Sequence, residues 1–444
     1  MRKSRNSFMS RAIRSCITLI ASALTMLPTQ ARAQECPPFE SMELLEPLPE
    51  PVTNNAVCSG YSNGKPFIYS FGGIDTSKSH DGIHLKSWRY NIEDGVWESL
   101  PDLPDTLGKI ASGASYMNGI IYIVGGYHVL ANGSEISSRL VHRFDCETSQ
   151  YLSNASDLPV AIDDHVQSVW RDSLLIALTG WSNNNNVAWL QAYNPKNDTW
   201  ISSLQLWDFP KFNSFGASGT IVGDTLYYFG GAASTAGFPI QPYLREGIIN
   251  PNDVSNISWS LASVDAQHAL YRSTAINIDG VPTWIGGGAN TYNYDGIAYD
   301  GTGGVEPSSN LIQWEDDSMF VNNCIGAPVD LRGSAWFPER GELYIVGGMG
   351  AAQQVSPGLI RFNISTLALP ELRGTDITIF PNPARDRIWV EAETTVRVEV
   401  YGVDGGLYRT ETILGKQEIE IRPGINLLRV HQESNVTQRI VIGQ

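Results

Sequence analysis

The sequence predicts an all-β chain: a six-bladed β-propeller followed by a small antiparallel β-sandwich. Three observations carry this expectation. A β-rich run ending in glycine recurs six times, at intervals of about fifty to sixty residues. A hairpin turn precedes most of these runs and a pair of aromatics follows several of them. After Gly374 the repeat stops, and short alternating strands with Gly and Pro turns take over.

Taken in order along the chain, residues 1–33 read as a signal peptide. Arg2, Lys3, Arg5, Arg11 and Arg14 form a basic start, Cys16 to Leu27 is apolar, and Ala31-Arg32-Ala33 has the small-x-small form of a cleavage site. The apolar stretch is shorter than the ~20 residues a membrane span needs, and no other stretch approaches a transmembrane segment. Six of the 30 basic residues and none of the 46 acidic ones fall in these 33 positions, so the remainder carries a net charge of −22. Such a balance excludes nucleic acid as a general partner and disfavours an anionic membrane surface. Past the signal, Cys36, Cys58, Cys146 and Cys324 remain, widely spaced; three pairings are open, as are free thiols, and metal-ligand spacing is absent.

Residues 34–374 hold the repeats. The glycine-ended runs are Ile68–Gly73, Ile121–Gly126, Leu175–Gly180, Leu226–Gly231, Thr283–Gly288 and Leu343–Gly348. Tyr90 and Trp97, Phe144 and Tyr151, and Tyr193 and Trp200 repeat one aromatic spacing. Each unit therefore reads as four antiparallel strands, the glycines allowing close approach near a crowded centre and the aromatics filling the space between sheets. A lone four-stranded sheet cannot bury both faces, so the units must stack radially. No outer strand is evident after Phe362, whereas Met42 to Pro51 mimics one, so this N-terminal strand is expected to close the ring and remove its open edges. At the quoted residues the chain resembles the kelch-repeat family over about residues 38 to 372. Thr179-Gly180-Trp181 departs from its Gly-Gly pattern, and the fifth unit carries an insertion from Ala289 to Ser309.

Residues 375–444 form the second domain, with strands expected at Arg387–Ala392, Thr395–Tyr401, Gln417–Ile421, Ile425–Val430 and Thr437–Ile442. The stretches FPNPARDRIWV, PGINLLRV and TQRIVIG resemble the C-terminal sorting domain of type IX secretion substrates. The resemblance implies the type IX machinery as a partner and an extracellular or outer-membrane-surface address.

Candidate binding residues follow from the propeller geometry. Counting about fifteen residues back from each glycine pair gives a ring of Asn55, Lys109, His165, Ser214, Arg272 and Arg332 around the channel mouth. It is basic or neutral in an acidic chain, which suits an acidic glycan, or else the basic residues tie the blades together. Tyr127, His128 and Trp181 follow the glycines on the same face; Asn183 to Asn186 reads as a solvated tip. The expected ligand-binding set is Lys109, His128, His165, Trp181, Arg272 and Arg332. In Asp163-Asp164-His165 an acid precedes a base, but strand neighbours point to opposite faces. The insertion segment Asp295–Gly304 lacks calcium-loop spacing. No metal cluster, cofactor motif or nucleophile motif is recognised, so no cofactor is expected. The family resemblance covers enzymes, a copper-dependent galactose oxidase and a six-bladed sialic-acid mutarotase among them, as well as binders. The reading is a secreted or surface binding module for a glycan or protein, with an acidic-sugar epimerase or mutarotase, or a scaffold using its outer loops, as alternatives.

Overall fold

The computed structural model describes residues 36, 38–205, 210–323, 326–364, 377–380, 386–402, 407–432 and 435–443; the signal peptide expected at 1–33 lies outside them. Six antiparallel blades built on four strands account for the repeats, the first and sixth joined by a short parallel pairing of Ala56–Cys58 with Arg332–Ser334. The first blade comprises Ala56–Ser62, Lys65–Ile74, Ile83–Asn91 and Val96–Leu100, and the second Ile110–Met117, Ile120–Val129, Val141–Asp145 and Gln150–Tyr151. The third comprises Val166–Trp170, Leu174–Leu178, Trp189–Asn194 and Thr199–Gln205, and the fourth Ser218–Val222, Thr225–Phe229, Tyr243–Asn250 and Asp253–Ser263. The fifth runs Thr274–Ile278, Val281–Ile285, Asn310–Glu315 and Ser318–Asn323.

The sixth blade has three consecutive strands, Arg332–Phe337, Glu342–Val346 and Leu359–Ile364, and takes its fourth from the N-terminal side: Phe39–Leu45 pairs antiparallel with Leu359–Ile364. Closure by an N-terminal strand is thus as expected, although that strand starts earlier and ends sooner than Met42–Pro51. Phe39 seats its ring 5.2 Å from Phe362.

Each blade is apolar on both faces because each is sandwiched. Six buried clusters alternate with the six blades. Tyr69 and Phe71 of the first blade meet Ile121 and Phe144 of the second; Ile276 and Leu311 of the fifth meet Leu343, Phe362 and Phe39 of the sixth. The expected aromatic pairs lie directly opposite on neighbouring strands: Tyr90 with Trp97 at 5.1 Å, Phe144 with Tyr151 at 5.1 Å and Tyr193 with Trp200 at 5.2 Å between ring centroids.

The glycine of each run is required by close approach. At Gly230, φ is +71° and an added Cβ would lie 2.0 Å from the carbonyl oxygen of Leu270. The third blade departs in a compensated way. Thr179 stands at the first glycine position with φ +50°, and its hydroxyl accepts from the Ser214 N–H and donates to the Ser214 carbonyl, bonding the next blade.

Cys36 is disulfide-bonded, whereas Cys58 and Cys146 are free, buried thiols. Among the described residues no helix is long and apolar enough to cross a membrane.

The C-terminal strands are all antiparallel, in the order Ile377–Phe380, Arg387–Tyr401, Gly424–Gln432, Asn435–Gly443, with Leu407–Glu420 also pairing Arg387–Tyr401. The two short strands expected at 387–392 and 395–401 are one strand with a register irregularity between Ala392 and Val396. The irregularity spans an even number of residues and keeps the period of two. Ile388, Val390, Ala392, Val396, Val398 and Val400 therefore all face one core with Ile413, Ile419 and Leu428.

Candidate functional site at the upper mouth of the channel

Where each first strand begins, one residue per blade adopts a left-handed backbone: Asn54, Ala111, Asp164, Gly216, Arg272 and Asp330, with φ between +47° and +67°. Their peptides form a closed ring of inter-blade hydrogen bonds. The N–H of Asn54 donates to the Asp330 carbonyl, Ala111 to Asn54, Asp164 to Ala111, Gly216 to Asp164, Arg272 to Gly216, and Leu331 to Arg272, at 2.7–3.4 Å. A left-handed non-glycine residue costs about 1–2 kcal/mol; the ring repeats that strain at five non-glycine positions and recovers a bond to the adjacent blade at each step.

Three of these residues carry charge, and they neutralise one another at the centre. Arg272 binds Asp164 through Nε and Nη2, at 3.0 and 2.6 Å, and Asp330 through Nη1 at 2.8 Å. Arg332 adds a contact to Asp164 at 3.4 Å and donates to the His165 carbonyl at 2.6 Å. Thr53 and Asn54 also donate to Asp330. All four ionic side chains are buried. The two arginines hold the Asp164 carboxyl below the usual range despite its burial.

This cluster lies between two cavities: Asp164 and Arg272 line the upper one, Arg332 the lower one. The upper cavity, about 170 Å³, is lined by Tyr127, Glu135, Asp163, Asp164, Trp181, Asn183, Phe215, Phe238, Arg272, Asn293 and Tyr299. Its aromatic wall is continuous. Trp181 lies 5.3 Å from Phe215 and 5.6 Å from Phe238, and Phe238 4.7 Å from Tyr299, between ring centroids. Tyr299 and Asn293 come from the fifth-blade insertion. Within that insertion Asp295 and Asp300 accept from Ile297 and Thr302 and cap their own turns. Asp163 is buried, accepts from Ser137 Oγ at 2.5 Å, and has its pKa pushed well up by burial and by Asp164. Glu135 stands at the rim with its pKa raised, mainly by desolvation.

The lower cavity, about 500 Å³, is lined by the first strands themselves. Each blade contributes at least one hydroxyl, Ser59, Ser115, Ser168, Ser218, Thr274 and Ser334 among them. Several are bonded across blades, as Ser218 to Ser273 at 2.6 Å and Thr274 to Ser334 at 2.8 Å.

Of the sequence-derived candidates, Arg272 and Trp181 line the upper cavity and Arg332 the lower. Lys109, His128 and His165 line neither. Lys109 is buried against Asp105, 3.1 Å from His142 Nε2, and His128 Nε2 is 3.9 Å from Asp105. His165 bonds Gln167 at 2.9 Å, and burial lowers its pKa to about 4, so it is neutral. Asp164 and His165 have different partners: Asp164 is held by Arg272, whereas the His165 ring meets Gln167. Asn183, read as a solvated tip, instead lines the cavity: its Oδ1 accepts from the Ser137 N–H and its N–H donates to Ser137 Oγ. The mouth is not a basic ring, because Asp164 and Asp330 occupy it and cancel the arginines. Glu135, Asp163, Phe215, Phe238 and Tyr299 were not among the candidates. Their positions depend on loops whose lengths differ from blade to blade, which a fixed count cannot follow.

Six such blades, closed by a strand from the far end and built around paired glycines, define a kelch-type β-propeller. Comparisons with known proteins agree. Residues 378–443 match the secretion system C-terminal sorting domain family. The chain is 31% identical over 129 residues to Kelch-like protein 36 of Bos taurus, covering 29% of this chain and 19% of that protein. It is 30% identical over 182 residues to Kelch repeat and BTB domain-containing protein 4 of Homo sapiens, covering 38% and 31%. With Beta-scruin of Limulus polyphemus it shares 25% over 140 residues, covering 31% and 15%. Each match spans less than a third of the relative's length. The solved structure of YjhT superposes with a TM-score of 0.57 at 15% identity, covering 70% of this chain and 95% of that one. The type IX sorting domain assigns the protein to secretion or attachment at the cell surface.

Proposed function

We propose that the protein is an exported binding module that takes the terminal ring of a glycan in the upper cavity. The observation that carries this is the pairing of a continuous aromatic wall, Trp181, Phe215, Phe238 and Tyr299, with polar groups from Asn183, Asn293 and Glu135. Aromatic faces stack on the apolar face of a sugar, and amides and carboxyls bond its hydroxyls. The volume is below the ~300 Å³ at which pockets for drug-sized ligands begin, which favours one ring over an oligomer segment. Screening the protein on a glycan array and repeating the hits with Trp181→Ala tests this. The variant is expected to stay folded, with a lower melting temperature from lost packing, and to lose at least about tenfold in affinity at a temperature where it remains native. Hits that bind Trp181→Ala unchanged would place the ligand elsewhere.

A second reading, an enzyme that moves a proton on a sugar, is favoured by one observation. Adjacent Asp163 and Asp164 are driven to opposite protonation states in the same cavity, a division that acid–base catalysis uses. Turnover of an array hit that disappears in Asp163→Asn with binding retained would decide for it.

A further inference from the structure

Resting on the reading of the upper cavity as the ligand site, we propose that its ligand carries a protonated amine, as an amino sugar does, and not a carboxylate. Three carboxyl groups and one guanidinium line the cavity. Each guanidinium nitrogen already donates to a buried aspartate: Nε and Nη2 of Arg272 hold Asp164, and Nη1 holds Asp330. Together with Arg332 these two aspartates and two arginines balance. Glu135 and Asp163 are left over, with no Lys, Arg or His at ion-pair distance among the described residues. A carboxylated ligand would have to share Arg272 with two buried aspartates and would lie beside Asp163, Asp164 and Glu135 as well. An ammonium meets Glu135 at the rim and Asp163 within, two carboxyls with no cationic side chain paired to them among the described residues.

The walls have the same preference. Trp181, Phe215, Phe238 and Tyr299 line the cavity, and an aromatic ring takes a cation on its face. Cavity lining and ion-pair geometry therefore point to one sign of charge independently.

Asp163 would give the binding of such a ligand a distinct signature. Asp163 faces Ser137, Asp164 and Glu135, with Arg272 and, from the insertion, Tyr299 nearby; burial and the two carboxylates keep it protonated. A bound ammonium supplies the counter-charge, Asp163 ionises, and one proton leaves for solvent. A neutral sugar leaves that proton in place.

Isothermal titration of the protein with glucosamine, N-acetylglucosamine and glucuronate, in two buffers of different ionisation enthalpy, tests this. Glucosamine is expected to bind at least tenfold more tightly than N-acetylglucosamine and to release a proton. Asp163→Asn, whose amide keeps a bond to Ser137, is expected to abolish the release. Glu135→Gln, at the exposed rim, is expected to weaken glucosamine severalfold without changing the melting temperature. Equal affinity for the amine and its acetylated form, or a preference for glucuronate, overturns the inference and leaves the glycan reading standing. Binding of none of the three overturns that reading, and the inference with it.

Discussion

The two ends of the central channel are built by the same repeat and differ in kind. The lower end is close to sixfold: every blade contributes a hydroxyl from its first strand, and two pairs, Ser218 with Ser273 and Thr274 with Ser334, bond across blade boundaries. The upper end has no such symmetry. Its cavity takes side chains from the second to fifth blades and the insertion, none from the first or sixth, and mixes aromatics with uncompensated carboxyls. The repeat supplies a scaffold whose strands are interchangeable, and chemistry is confined to the loops that differ.

The sharpest test of this contrast is Arg272→Ala at the floor of the upper cavity. It leaves Asp164 and Asp330 buried without their cation, and is expected to cost about 3–5 kcal/mol, read as a fall in melting temperature. Unchanged melting would mean that the centre is hydrated and the ion cluster dispensable. Gly216→Ala, at the one ring position without a side chain, places a Cβ 2.1 Å from the Tyr271 ring at φ +67°. It is expected to destabilise by roughly 2–4 kcal/mol through backbone strain and overpacking.

A subtler test uses the opposite shifts of Asp163 and Asp164. Asp163, with its pKa raised on folding, opposes folding at neutral pH, and this penalty fades as pH falls toward the unfolded value of about 3.9. Asp164, with its pKa lowered, contributes stability above about pH 3.9 that is lost as pH falls toward its depressed folded value. Asp163→Asn should therefore melt higher than the parent at pH 7 and no higher near pH 3.5. A gap that is constant with pH would show that folding does not shift the Asp163 pKa. The smallest effect is expected at the lower end: Ser168→Ala should stay within about 0.5 kcal/mol and leave every glycan affinity unchanged.

Much of the propeller was legible in the sequence because the repeat is written in residue types with narrow uses. Glycines mark where one blade's backbone meets the next, and Tyr90 with Trp97 marks a cross-strand pair. The closing strand was legible by elimination, since the sixth unit lacked an outer strand and Phe39–Leu45 precedes the first. The site was less so. Counting back from the glycines found Arg272 but gave Asn55, His165 and Arg332 where the ring uses Asn54, Asp164 and Asp330. A one- or two-residue error there exchanges a base for an acid and reverses the apparent charge of the mouth. Ala111 shows why the register is hidden: its backbone is left-handed, yet alanine carries no signal for that conformation. Glu135 reaches the rim from Glu135–Ser137, an extra strand of the second blade that the repeat does not announce.

The strand that shuts the ring has a further consequence, for the order of events in folding. Phe39–Leu45 is the first strand of the propeller and Leu359–Ile364 is its last, so contacts such as Glu43 with Arg361 join residues 318 positions apart. Bringing such distant segments together is slow, and its entropy must be spent before the last inter-blade cluster repays it. The ring therefore closes only once all six units exist, and the sorting segment at 378–443 lies beyond the last of them. A chain cut short within the repeats therefore lacks both the partner strand that seals the ring of blades and the sorting segment.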